Sequence, residues 1–115
     1  MIEKTILDYL NSVMSVPAYM EEPENPPAEY LRIEKQGGGY VDHVKSAVIT
    51  VQSYGSSMYR AAEINTQVVE AMINAVTLNA IAKSALNSDY CFTDETTHRY
   101  RYQAVFDIVY FLTGG

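Results

Sequence analysis

Between His98 and Phe111 apolar and polar residues alternate for longer than anywhere else in the chain. Tyr100, Tyr102, Ala104, Phe106, Ile108 and Tyr110 fall on one side of this pattern, while Arg99, Arg101, Gln103 and Asp107 fall on the other. A period of two is the mark of an extended strand, whose successive side chains point to opposite faces. The pattern therefore predicts a sheet with one apolar face, and that face needs cover.

The rest of the chain supplies partners for it. Ile2, Ile6, Leu10, Val13 and Met14 recur at helical spacing between Glu3, Lys4, Asp8 and Asn11, which predicts an amphipathic helix over residues 2–14 that Pro17 stops. A short strand is expected over Val16 to Met20. The acidic, proline-rich segment Glu21 to Pro27 then reads as a stiffened, solvated connection, with a charged docking loop as the alternative. Leu31 and Ile33 alternate with Arg32 and Glu34 in a half-exposed strand, Glu29 to Gln36. Gly37, Gly38 and Gly39 follow, and lead into the β-branched run Val44 to Tyr54. The simplest expectation is an antiparallel pair joined by a long, flexible glycine loop.

Gly55-Ser56-Ser57 offers hydroxyl caps for a second helix, Met58 to about Val76. Its broad apolar side is Met58, Ala61, Ala62, Val68, Val69, Met72, Ile73 and Val76, where the methionines serve as core filler. Residues 77–85 carry no clear period. Alternation returns from Leu86 to Phe92, and Thr93 to Thr97 forms a turn into the last strand. The order helix, strand, strand, strand, helix, strand, strand predicts a single α+β domain over residues 1–115. Its antiparallel sheet has four to five strands, with both helices on one face.

A chain of 115 residues buries one core, and 48% hydrophobic with 19% charged residues is ordinary globular composition. Fourteen acidic against eight basic residues give a net charge of −6, which disfavours general affinity for phosphate backbones. Ten tyrosines and no tryptophan suit half-buried strand faces and subunit interfaces, although β-propensity alone also favours tyrosine. One cysteine, Cys91, forms no internal disulfide, which fits a reducing cytoplasm. Charges at Glu3, Lys4 and Asp8 break up the N-terminal apolar residues, so no signal-peptide core is expected, and no membrane-spanning run appears.

Chemistry is hard to place. The histidines are His43 and His98, and neither they nor Cys91 has the spacing of a metal site. Cys91 and His98 face each other across the last predicted hairpin as a conceivable nucleophile and base, but a lone strand cysteine is expected to be a small buried hydrophobe. Asp42-His43 lacks a G-x-S-x-G elbow to complete a triad. The pairs Glu21-Glu22 and Asp94-Glu95 lie in turns, where solvation argues against raised carboxyl pKa values. The glycines precede a strand rather than a helix, which argues against a phosphate cradle. The terminal Gly114-Gly115 is expected to be a frayed end rather than a modifier tail. Hence neither catalysis, nor a cofactor, nor a metal is expected. Arg99 and Arg101 share one strand face and suit either a partner's carboxylates or the guarding of an edge.

Three segments in order resemble the small tail terminator proteins of long-tailed bacteriophages and prophages. They are the helix and short strand from Ile2 to Met20, the strand-turn-helix from Val48 to Glu63, and Ser88 to Asp94 running into Tyr100 to Ile108. The resemblance is one of layout, and it spans most of the chain. It implies a sheet with helices on one face and a hexameric ring, assembled in the host cytoplasm, at the head-proximal end of the tail. There the ring ends tube growth and offers a surface for head joining.

The implied partners are further copies of the chain, the tail tube protein and a head-completion or connector protein, with no membrane. DNA would pass through an acidic channel without specific binding. Gly37, Gly38, Gly39 and Tyr40, with Arg99 and Arg101, are the candidate interface residues. Two rival readings stand beside it: a head-tail connector or stopper, and a small ligand-binding α+β module or enzyme using the concave side of the sheet.

Overall fold

The computed structural model describes residues 1–41, 44–94, 96–97 and 99–111. Asp42, His43, Glu95, His98 and the Gly114-Gly115 terminus lie outside the described residues, and with them the Asp42-His43, Cys91-His98 and Asp94-Glu95 pairings. The chain folds as α1 (Ile2–Val13), β1 (Ala18–Tyr19), β2 (Tyr30–Val41), β3 (Val44–Gly55), α2 (Met58–Ile73), a 3-10 turn (Asn74–Thr77), β4 (Ile81–Cys91) and β5 (Tyr100–Phe111). The α+β class and the expected order of elements hold.

One five-stranded sheet has the order β1-β2-β3-β5-β4. It is mixed rather than wholly antiparallel, because β1 runs parallel to β2, with Ala18 opposite Leu31 and Tyr19 opposite Arg32. All other pairings are antiparallel. The 12-residue segment β5, the strand whose alternation is longest, lies between β3 and β4, so two neighbours satisfy its backbone.

Both helices cover one face. Ile2, Ile6 and Leu10 of α1 join Ile64, Val68 and Met72 of α2 over Leu31, Ile33, Ile49, Val51, Ala104, Phe106 and Ile108 in one continuous core. Tyr9 ties the helices together by donating its hydroxyl to the Ala71 carbonyl at 2.7 Å. Ser57 caps α2, its hydroxyl accepting from the Arg60 amide. Gly55 is required just before that cap: a Cβ there would stand 2.3 Å from the Ala61 nitrogen.

Several expectations need correction. Gly37, Gly38 and Gly39 do not form a loop; they continue β2, paired with Val48, Ala47 and Ser46. The long β-branched strand β3 offers an unbroken ladder, and hydrogen bonding along it outweighs the weak strand preference of glycine. The cost shows as a register shift between Lys35 and Gly37. A side chain at Gly38 would meet the Ser46 carbonyl oxygen at 2.8 Å, whereas Gly37 has open space around it.

The second helix ends at Ile73, three residues before Val76, and the chain tightens into the 3-10 turn. Its buried residues are Ala61, Ile64, Asn65, Val68 and Met72, while Met58, Ile73 and Val76 are exposed. The uncertain stretch 77–85 divides into the end of that turn and the start of β4, which begins at Ile81.

Candidate functional site

The sheet face opposite the helices is where the distinctive polar and aromatic residues gather. In the register, Tyr30 lies opposite Tyr54 and Tyr54 opposite Arg101, while Gln52 lies opposite Gln103 and Gln103 opposite Tyr90. Strand alternation puts all of these on the side away from the core. They pack on one another. The Tyr30 and Tyr54 rings stack at 4.4 Å, Tyr19 meets Tyr30 edge-on at 6.0 Å, and the Arg99 guanidinium lies 4.9 Å from the Tyr54 ring centre. Arg101 sits over both Tyr54 and Phe92, 4.3 Å from the latter's ring centre.

A hydrogen-bond chain links these residues. Arg101 donates Nη1 to the Tyr54 hydroxyl at 3.3 Å, and that hydroxyl donates to Gln52 Oε1 at 3.2 Å. Gln52 Nε2 then donates to Gln103 Oε1 at 2.9 Å, and Gln103 in turn donates to the Tyr90 hydroxyl. Gln52 and Gln103 are buried although they lie on the face that the helices leave uncovered. Close neighbours on adjacent strands shield them, which is why each amide needs its partner.

Arg99 and Arg101 thus project from one face as expected, but both are engaged within the chain. Arg99 pairs with Glu22 and also donates to the Tyr30 hydroxyl, while Arg101 donates Nε to the Phe92 carbonyl at 2.7 Å. The Glu21 to Pro27 connection is correspondingly anchored to the sheet through Glu22. Hydrogen bonds from Arg99 and Tyr30 hold the Glu22 carboxyl below the usual range. Burial, reinforced by the bond to Glu22, pushes the Tyr30 hydroxyl well above the usual phenol range. Beside them Glu29 accepts from Arg60 at 2.9 Å and from the Ser56 hydroxyl at 3.1 Å, and the Arg60 bond is the main cause of its lowered pKa.

Cys91 is exposed rather than buried, because it ends an edge strand beyond the shelter of the core; its thiol lies 3.6 Å from Met58 Sδ. Among the described residues no group of three His, Cys, Asp or Glu side chains is placed to hold a metal ion. Among the described residues no helix is long and apolar enough to cross a membrane.

The concavities are open grooves. One of about 510 Å³ runs between α2 and β4, lined by Thr66, Val69, Glu70, Ile73, Asn74 and Asp89. Asn65, 3% exposed, donates to the Oδ2 of the lining residue Asp89 at 3.1 Å. Another of about 200 Å³ lies against Pro26, Pro27, Tyr30, Tyr54 and Arg99. Neither joins a nucleophile to a base.

The candidate interface residues form two groups. Gly37 to Tyr40 occupy the outer edge of β2, while Arg99 and Arg101 belong to the aromatic cluster at the opposite end of the sheet. Missed from sequence were Tyr30, Tyr54 and Glu22 as members of one cluster. Tyr30 and Tyr54 alternate correctly along their strands, but only the register between strands brings them together, and Glu22 joins them from the connection before β2. No protein-family model matches this chain, and no curated protein matches it.

Proposed function

We propose that the chain is a ring-forming structural subunit of a phage or prophage tail, a tail terminator that caps the head-proximal end of the tail tube. The observation that carries this reading is the distribution of its surfaces. The subunit is elongated, 46 × 23 × 22 Å, with its helices on one face and an edge strand on either side of the sheet. A body with two different sides suits heterologous contacts between copies, which close into a ring when the rotation allows.

On this reading the work is done by interfaces rather than by catalysis. Six copies meet one another around the ring, one rim meets the tube protein, and the other meets a head-completion or connector protein. The protein acts in the virion after assembly in the host cytoplasm. A net charge of −6 suits a lumen through which DNA slides without adhering.

Native mass spectrometry of the purified chain over a concentration series, with negative-stain imaging, tests the ring. A closed sixfold ring that arrests growth of purified tail tubes is the expected result. A compact dimer at all concentrations that leaves tube growth unaffected would overturn it.

A further inference from the structure

We infer that neighbouring copies join edge to edge, the free edge of β2 pairing antiparallel with the free edge of β4 of the next copy. This rests on the ring reading above and names the seam that builds the ring.

The two edges are open in the way such pairing needs. Among the described residues β1 covers β2 only at Leu31 and Arg32, which leaves Glu34 to Gly39 without a strand on that side. Among the described residues β4, Ile81–Cys91, pairs with β5 alone. Each edge therefore presents backbone amides and carbonyls that another chain can satisfy.

The topology sets the sense of the joint. β2 is antiparallel to β3, β3 to β5, and β5 to β4, so β2 and β4 run in opposite directions. Rotation about an axis along the strands preserves direction, and so brings the β4 of one copy against the β2 of the next as an antiparallel pair. The same rotation keeps the helices of every copy on one side of the extended sheet.

Charge selects a second copy as the occupant and makes the joint head-to-tail. Lys35 lies opposite Ile49, and Lys45 opposite Tyr110, both core residues, so these lysines are on the helix-bearing side near the β2 edge. Neither makes an ion pair among the described residues. On the same side at the other edge, Asp89 of β4 lies opposite Ala104, a core residue, and is exposed. Lys83 of β4 lies opposite Val109, on the other face. A β2-to-β4 seam thus sets lysines against the Asp89 carboxylate, whereas a two-fold β2-to-β2 seam sets lysines against lysines. Exposed Leu86, Ile73 and Val76 flank the acidic edge and add apolar area to the joint.

Two measurements test the seam. In the first, Lys35→Glu and Asp89→Lys, both exposed, are made singly and together. Each single reversal should raise the ring's dissociation constant by roughly tenfold, and the double reversal should restore it. In the second, Glu34→Cys and Ser88→Cys are combined in a Cys91→Ser background and bridged with a short bismaleimide. A ladder of covalent oligomers is expected from the double variant, and no dimer from either single one. A dimer from Glu34→Cys alone would overturn the head-to-tail seam in favour of a two-fold one. An intact ring by native mass spectrometry that gives no ladder would overturn the seam while sparing the ring. A chain that is monomeric at every concentration and gives no ladder would overturn both.

Discussion

The rings of Tyr30 and Tyr54 lie 4.4 Å apart and within 4° of parallel, and each is almost wholly buried on the face that no helix covers. They face each other across the β2–β3 ladder, and Arg99 clamps the pair by donating to one hydroxyl while lying over the other ring. A double-mutant cycle with Tyr30→Leu and Tyr54→Leu should give a coupling of about 1 kcal/mol, as for other aromatic pairs. Urea unfolding of the four proteins measures it, and a coupling near zero would mean that the stack contributes only its burial.

Gln52 and Gln103 share one buried hydrogen bond at 2.9 Å. Replacing either with leucine leaves one buried polar atom of the other amide unpaired, Gln103 Oε1 or Gln52 Nε2, and should cost about 1–3 kcal/mol, whereas replacing both should cost less than the sum of the two single changes. Simple additivity in thermal unfolding would show that the amides are solvated in the folded state.

Gly37 of β2 and Gly55, which ends β3, should respond in opposite ways. Gly37→Ala meets open space and should leave stability unchanged or raise it by about 0.4–1 kcal/mol, through a less flexible unfolded chain. Gly55→Ala drives a methyl against the Ala61 backbone at the start of α2 and should cost about 1–3 kcal/mol. Equal effects at the two sites would refute the close approach of strand and helix at Gly55.

Glu22 and Glu29 give the fold an acid-sensitive component. Arg99 and Arg60 respectively hold their carboxyls below the ordinary range in the folded state. A lowered folded pKa contributes stability that is complete above the unfolded value of about 4.3 and is lost as pH falls through the folded one. The stability difference between the native protein and a Glu22→Gln, Glu29→Gln variant should therefore be largest near neutrality and vanish in strongly acid solution. Both carboxylates are partly exposed, so added salt should shrink the difference as well. A difference independent of pH would exclude the ion pairs as its source.

The sequence by itself determined the elements and their order. Period-two alternation marked β5, helical spacing marked α1, and Gly55-Ser56-Ser57 marked the start of α2, because each depends on residues adjacent along the chain. Local pattern failed where a distant partner decided the outcome. Gly37 to Gly39 look like a loop in isolation and become strand because β3 provides a ladder to join. Ala18 and Tyr19 pair parallel to β2, which alternation has no means of specifying. Glu22 and Arg99 stand 77 positions apart, and with Tyr30 and Tyr54 they form one cluster only because strand register and the path of the connection before β2 bring them together. Side-chain period fixes which face a residue occupies, but the sum of backbone pairings across the whole sheet fixes who stands beside it, and only the tertiary structure settles that sum.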